Sequence, residues 1–340
     1  MNTSLIATPR RWAWWLCALL LLICMLTSLT VGARSIAPDT VWQALTSTCS
    51  PEQQADCIII QQARLPRTLI GAMVGMALGL AGCLMQQLTR NPLADPGVLG
   101  INAGASLAVV LCVALSGQST LMLLVGAAFG GALLASVILM VLGALTGRGR
   151  VDPIRLTLIG VAMSAAMEGL SSGIALLDPT TFDHMRFWRS GSLDIHGMTT
   201  VQAIALPMGL GLLIVLLIGR GLEALALGEQ LATSLGSRTH LTHAFGIVAI
   251  ALLCGSAVAA VGPIAFIGLM APHLAARLAS GSARWQLYWA VLITPLLLLT
   301  ADIAGRVLFV GEVRVSILTA VLGAPVLIVL ARRLWRGATL

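Results

Sequence analysis

The sequence predicts an all-α polytopic membrane protein with about ten transmembrane helices and with both termini in the cytoplasm. Hydrophobic residues make up 58% of the 340 residues and charged residues only 10%, and the mean hydropathy is +0.96. Soluble domains carry roughly one quarter charged residues. Many of the uncharged runs reach the length of about 20 residues that a helix needs to cross the bilayer core. These runs lack the alternating pattern of strands in a membrane barrel.

The uncharged runs give the predicted helices in chain order. The first, 12–33, exceeds the apolar core of about 7 to 15 residues in a cleavable signal and has no convincing A-x-A site, so we interpret it as a retained helix. Two later runs, 96–147 and 239–276, are too long for one helix, and breaks near Gly117 and near Gly262 divide them. The runs are 12–33, 68–89, 96–147, 156–167 (continued past Glu168 to 177), 195–219, 239–276, 285–301 and 315–331, which gives about ten spans after the two divisions.

The arginines predict the orientation of these spans. All 20 basic residues are arginine, and with the N-terminus inside, 13 of the 20 fall in cytoplasmic segments. This bias agrees with the positive-inside rule. The formal net charge of +7 is therefore attributed to topology rather than to nucleic-acid binding. The seven arginines predicted on the outer face are Arg34, Arg64, Arg67, Arg186, Arg189, Arg306 and Arg314.

A polar loop at about 34–63 is predicted on the outer face. It contains the stretch TCSPEQQADC, and Cys49 and Cys57 are the two of seven cysteines that lie outside the predicted spans. In an oxidising compartment such a pair is expected to form a disulfide. A metal site is the alternative, but two thiols without a nearby histidine make a poor one.

The stretch RNPLADPGVLG, 90–100, is unusually polar for its surroundings and follows the second span at its cytoplasmic end. Its Asn-Pro and Asp-Pro-Gly steps both interrupt a helix. Unpaired backbone at membrane depth is tolerated only against protein or a water-filled cavity. The sequence therefore predicts that this stretch lines a pathway, with an ordinary inter-helix turn as the alternative.

The longest inner loop, at about 220–240, reads RGLEALALGEQLATSLGSRTH. Apolar residues at helical spacing with two internal glycines predict two short helices in the membrane plane or in the groove of a partner. A plain surface helix pair is the alternative. The chain has no lysine, so it lacks the lysine with which a phosphate-binding loop reaches ATP. Energy for transport would have to come from a partner.

Glu168 is the only acidic residue well inside a predicted span, and such a residue is a pathway or packing candidate by default. A proton-coupled secondary transporter is the alternative function, although it would need more buried carboxylates than one. A passive channel is less favoured, because no repeated selectivity ring is present in the sequence. His243 and His273 are interpreted as helix-end residues rather than ligands.

Glycines at intervals of four predict close helix packing. Gly71, Gly75 and Gly79 form one such series, and small residues at this spacing let two backbones approach each other. The same spacing recurs in Gly100 with Gly104 and in Gly126 with Gly130. For those two pairs, packing and a merely glycine-rich composition stay open as explanations.

The stretches ARLPRTLIGAMVGMALGLAGCLMQQLTRNPLADPGVLGINAGAS, LALGEQLATSLGSR and LGAPVLIVLARR resemble the permease subunits of bacterial iron-siderophore, haem and cobalamin ABC importers. The resemblance runs over nearly the whole chain and implies one permease domain, 1–340, in the bacterial inner membrane, with a periplasmic first loop. It implies a transport subunit rather than an enzyme, without cofactor or metal. The implied cargo is a ferric siderophore, with ferric enterobactin or a similar catecholate favoured and a hydroxamate as the alternative.

The resemblance also implies partners and residue roles. The expected partners are a second permease subunit (a paralogue or a copy), two ATP-binding subunits, a periplasmic siderophore-binding protein and the lipid bilayer, without nucleic acid. The implied sites are a cytoplasmic gate of Asn91, Pro92 and Leu93; binding-protein docking through Arg64, Arg67 and Arg306; and ATPase coupling through Leu227, Gly228, Glu229, Leu235 and Gly236. Arginine suits docking to the binding protein because its forked guanidinium matches a carboxylate. The alternative is that Asp302 neutralises Arg306.

Overall fold

A computed structural model describes residues 11–32, 34–117, 120–146, 153–308 and 312–337. Regular structure in this part of the chain is helical. The helices are α1 Arg11–Thr30, α2 Pro38–Leu45, α3 Gln54–Ile59, α4 Leu65–Thr89, α5 Ile101–Ser116, α6 Leu121–Thr146, α7 Pro153–Leu177, α8 Pro179–Arg189, α9 Thr199–Ala226, α10 Glu229–Ser234, α11 Thr239–Val261, α12 Ile267–Leu278, α13 Ala283–Val307 and α14 Val315–Gly337.

Ten of these helices occupy the positions of the ten predicted spans. Within the described ranges, seven are long and apolar enough to cross a membrane, namely α1, α4, α6, α7, α9, α11 and α13. The helix α5 and the apolar part of α14 are shorter, and α12 has only 12 residues. The fold is therefore the all-α polytopic bundle that the sequence predicts.

Helix ends that are predicted on the same face of the membrane contact each other. At the outer end, Arg306 of α13 donates from Nη1 to the carbonyl of Val31, which follows α1, at 2.9 Å. At the inner end, Arg90, which follows α4, donates from Nη2 to the carbonyl of Leu225 in α9 at 2.8 Å. Residues assigned to one face thus meet each other, which agrees with the predicted alternation of the spans.

The helices α4 and α11 form the centre of the bundle. In each of them 78% of the most apolar window is buried, against 17% in α7. The helix α4 packs along α13 and also contacts α11 and α12. The helix α7 consequently leaves most of its apolar surface uncovered by the chain itself.

Glycines set the close approach of α4 to α13. A Cβ on Gly75 would lie 2.6 Å from Cα of Pro295, and one on Gly71 would lie 2.6 Å from Cδ2 of Leu299. Gly79 faces Thr294 in the same way. The packing predicted for this series is therefore what the structure shows.

The other two pairs of glycines, Gly100 with Gly104 and Gly126 with Gly130, do not share one explanation. Gly104 of α5 packs on α6, where its Cβ would lie 2.7 Å from the carbonyl oxygen of Gly131. For Gly126 and Gly130, a Cβ would have no described heavy atom within 4 Å. Packing thus explains Gly104 but neither Gly126 nor Gly130, and Gly100 is favoured instead by its left-handed backbone, with φ of +82°.

The first outer loop folds back on the end of α1. Cys49 and Cys57 form a disulfide, with their Cα atoms 6.5 Å apart. A small second core, made of Leu29, Ile36, Val41, Ala44, Cys57 and Ile60, lies beneath it. A π-helical turn, Ile60–Arg64, then joins α3 to α4.

Candidate transport pathway

One cavity brings the gate candidate and the pathway candidate together. Its volume is about 600 Å³, and its wall includes Leu93 from the segment between α4 and α5 and Glu168 from α7. Phe266, in the turn between α11 and α12, lines the same space. Leu93, Glu168 and Phe266 are far apart in sequence, so only the fold shows that they share one cavity.

The wall of this cavity carries polar groups as well as apolar ones. Asp95 accepts a hydrogen bond on Oδ1 from the backbone N–H of Gly97 at 2.7 Å. Oδ1 of Asn102 and Oγ of Ser164 are buried without a hydrogen-bond partner among the described residues. Buried polar atoms are nearly always satisfied by protein or by ordered water, so these atoms favour a hydrated cavity.

The gate segment is a turn at the inner end of α4. The helix ends where Arg90 takes a left-handed conformation, with φ of 49°. Oδ1 of Asn91 then accepts from the backbone N–H of Leu93 at 3.0 Å, which is the side-chain turn that asparagine favours. Pro92 lacks the N–H that a continuing helix would need. Asn91, Pro92 and Leu93 are all exposed, so the chain itself leaves this turn uncovered.

Two side-chain hydrogen bonds join the gate segment and the adjoining Arg90 to other helices. Nε2 of His273 in α12 lies 2.8 Å from the carbonyl oxygen of Pro92. Arg90 supplies the second bond, to Leu225 of α9. Neither His273 nor Arg90 was assigned to the gate by sequence reasoning, because each partner is a distant backbone carbonyl that leaves no sequence signal.

The inner loop differs in part from its prediction. Only one short helix, α10, lies between α9 and α11, because Arg220–Ala226 continues α9 instead of forming a helix of its own. The apolar residues Leu222 and Leu225 of this stretch are buried against the core, which extends α9. The expectation of two separate short helices was therefore wrong.

Leucines on this loop form an exposed apolar surface. Leu227, Leu231 and Leu235 recur every four residues and are 62%, 56% and 66% exposed. Gly228 and Gly236 flank α10 with φ of +116° and +79°, values that favour glycine. A cluster of exposed apolar residues on a polar face is typical of a protein interface.

The three outer arginines are buried. Nη2 of Arg67 lies 2.9 Å and Nη2 of Arg306 lies 3.0 Å from the carboxylate of Asp302. Arg64 donates to the carbonyls of Leu29 and Arg34. All three arginines are less than one tenth exposed. The neutralisation of Arg306 by Asp302, weighed as the alternative to docking, is thus the arrangement found, and the guanidinium groups are not exposed grips in this conformation.

Arg67 also has partners at the surface. Its Nη1 lies 2.8 Å from Oε2 of Glu312 and 3.6 Å from Oδ1 of Asp194. The side chains of Glu312 and Asp194 are 41% and 56% exposed. Ion pairs this open to solvent are weak, so these carboxylates are the replaceable partners of Arg67.

Glu168 lies within reach of the outer side of the cavity. Its carboxylate is 3.9 Å from Nη2 of Arg189, the last residue of α8, and both side chains are about half exposed to solvent. Asp178 caps the other end of α8, where hydrogen bonds from Thr180 and Thr181 lower the pKa of its carboxyl group. The arrangement leaves Glu168 facing the cavity with only a weak partner.

Comparisons with known proteins agree with this geometry. The FecCD transport family matches residues 20–333. The ferric enterobactin transport system permease protein FepD of Escherichia coli (strain K12) is 53% identical over 94% of this chain and 94% of its own. The probable siderophore transport system permease protein YfiZ of Bacillus subtilis (strain 168) is 34% identical over 95% of this chain and 96% of its own. A solved inward-facing structure of a proposed metal-chelate type ABC transporter matches with a TM-score of 0.80 and 26% identity, over 94% of this chain and 98% of that one.

Proposed function

Because the chain belongs to the FecCD transport family, we propose that it is the permease subunit of an ABC importer that moves a ferric siderophore into the cytoplasm, with ferric enterobactin as the cargo. The observation that carries this proposal is the identity of 53% to a ferric enterobactin permease over 94% of both chains. The protein is a transport subunit and not an enzyme. A proton-coupled secondary transporter is not favoured, because the relatives are permease proteins of transport systems.

The proposed partners follow from this assignment. Permeases of this family work with other ABC-transporter subunits. We propose a second permease subunit, two ATP-binding subunits and a periplasmic siderophore-binding protein, assembled in the inner membrane. The whole chain, 1–340, would form one permease domain, with a periplasmic loop at about 34–63 and a cytoplasmic coupling loop at about 220–240.

The cytoplasmic gate would be the turn of Asn91, Pro92 and Leu93. Its exposure at the inner end of the bundle and the position of Leu93 on the cavity wall support this role. In a pair of permeases, two such turns would meet across the path and close it. Glu168 would line the same path nearer its outer end.

The coupling loop would bind the ATP-binding subunit through its exposed leucines. The apolar surface supports this role, since Leu227 and Leu235 lie at the two ends of α10 with Leu231 between them. Gly228 and Gly236 would fix the direction of α10, and Glu229 would begin it. A groove in the partner that accepts a short amphipathic helix fits this surface.

Docking of the binding protein would use the outer arginines through an exchange of partners. A carboxylate of the binding protein would replace Glu312 on Arg67, since Glu312 is the nearer of the two exposed partners of Arg67. Arg64 and Arg306 would hold the backbone beneath this surface through their carbonyl bonds. Such exchanges change association rates more than affinity.

Uptake of radioiron-labelled ferric enterobactin tests the proposal. A strain that lacks its own permease would receive this gene together with its partner subunits. Uptake should return with the unaltered chain and fail with Leu231→Glu, which places a charge in the apolar coupling surface. Leu45→Glu, at an exposed leucine on the outer loop, is the matched control and should transport normally.

Two results would contradict the proposal. One is an absence of ferric enterobactin uptake while a ferric hydroxamate is transported, which would reassign the cargo. The other is uptake that continues without the ATP-binding subunit and stops with a protonophore, which would support the secondary transporter.

A further inference from the structure

Arg90 lies between the two moving parts that the proposed function requires. It directly precedes Asn91 of the gate and directly follows α4. Its backbone is left-handed, with φ of 49°, a conformation that residues with a Cβ adopt only when their surroundings require it. The conformation turns the chain out of α4 and into the gate segment, so the position of Arg90 sets the position of Asn91.

The side chain of Arg90 reaches the coupling loop. Nη2 donates to the carbonyl oxygen of Leu225 at 2.8 Å. Leu225 is buried and is the second-to-last residue of α9, and the same carbonyl accepts from the N–H of Gly228, the residue that directly precedes α10. A cation is favoured at the C-terminus of a helix, where carbonyl groups point outward. Arg90 therefore bonds directly to the backbone from which α10 departs.

The far side of the gate segment is fixed to a different helix. His273 of α12 bonds the carbonyl oxygen of Pro92. Gln86 of α4 also donates to the carbonyl of Leu269 in α12, at 3.2 Å. The gate segment is thus bonded to α12 through His273 and to α9 through Arg90. Of the two bonds, the one to α9 lies next to the coupling loop.

We infer that Arg90 is a positioning residue that transmits displacement of the coupling loop to the cytoplasmic gate through its bond to Leu225. The inference rests on the proposed function. A shift of α10 that moves the end of α9 would pull on the guanidinium, and through it on the backbone of Asn91. The alternative is that Arg90 only anchors the inner end of α4, as a cytoplasmic arginine commonly does.

The experiment compares ATP hydrolysis with transport in one preparation. The complete transporter, reconstituted in vesicles with its binding protein, would carry Arg90→Gln, Arg90→Lys or Arg332→Gln. Arg332 is an exposed arginine at the predicted cytoplasmic end of α14, for which the structure shows no hydrogen bond or ion pair within the described chain. The quantities measured are ATP hydrolysis stimulated by loaded binding protein and uptake of radioiron-labelled ferric enterobactin.

The ratio of uptake to stimulated hydrolysis should fall roughly tenfold in Arg90→Gln, a change that corresponds to about 1.4 kcal/mol. Arg90→Lys retains a charged donor group on a flexible stem and should fall less, and Arg332→Gln should keep the ratio of the unaltered transporter. An anchor alone would lower hydrolysis and uptake together and leave the ratio unchanged.

An unchanged ratio in Arg90→Gln would overturn the role of Arg90. If Arg90→Gln does not insert, Arg90→Met decides in its place, because methionine keeps an unbranched side chain without a donor to the carbonyl of Leu225, and an unchanged ratio in Arg90→Met would likewise overturn the role. Absence of ATP-driven uptake in the unaltered transporter would overturn the proposed function itself, which is a separate result.

Discussion

Replacing Gly75 by alanine should separate α4 from α13. The added Cβ would lie 2.6 Å from Cα and 2.8 Å from N of Pro295, both of them backbone atoms that no side-chain rotation can move. Ordinary contacts of a Cβ begin near 3.4 Å, so α4 and α13 must move apart. Overpacking of this kind costs about 1–3 kcal/mol, and the better helix propensity of alanine returns less than about 1 kcal/mol.

Gly126→Ala is the matched control, since Gly126 also lies inside a membrane-spanning helix but faces no described heavy atom within 4 Å. Thermal unfolding of both variants in one detergent, followed by tryptophan fluorescence, measures the difference. We expect the midpoint of Gly75→Ala to fall by roughly 1–3 °C and that of Gly126→Ala to stay or rise. A midpoint for Gly75→Ala equal to or above that of Gly126→Ala would refute the packing argument.

Three further predictions concern the two ends of the bundle. Non-reducing peptide mapping should recover Cys49 linked to Cys57, and two free thiols in protein whose outer loop faces the periplasm would contradict the bond. Cys57→Ser should lower the stability of the outer loop by about 2–3 kcal/mol. Asn91→Cys in both permeases should cross-link in the resting state and much less with ATP bound, whereas equal cross-linking would indicate a static turn. Glu312→Gln should raise the association rate of the binding protein by freeing Arg67, measured by association kinetics at several salt concentrations; an unchanged rate would leave Arg67 as an internal anchor.

Spans were predictable because the membrane imposes one physical rule on every residue that crosses it. Charge-free runs of sufficient length become helices whatever their neighbours are. The short outer helix α8, Pro179–Arg189, was not predicted, although Asp178 followed by proline is a signal for the start of a helix. The charged residues of α8 hid this helix, because the prediction of spans used only the positions of charges.

The site was predictable only where one local stretch contains it. The gate turn and the glycines around α10 follow from residues adjacent in sequence, because proline and positive φ are local properties. The cavity joins Leu93, Glu168 and Phe266, and the burial of Arg67 depends on Asp302, at a separation of 235 residues. Partnerships of this range depend on helix packing, which hydropathy does not encode.

The burial of Asp302 between two arginines indicates which end of the bundle is fixed. Its carboxylate is 1% exposed and lies within 3.0 Å of both Arg67 of α4 and Arg306 of α13, while Arg306 also bonds the carbonyls of Ser28 and Val31 at the end of α1. Breaking a buried ion pair costs about 3–5 kcal/mol, because a charge is left without compensation. The bonds described at the inner gate each join one side chain to one carbonyl oxygen, and a hydrogen bond to a charged group contributes about 1.5–3 kcal/mol. The outer ends of α1, α4 and α13 are therefore expected to stay together while the inner end rearranges around Arg90.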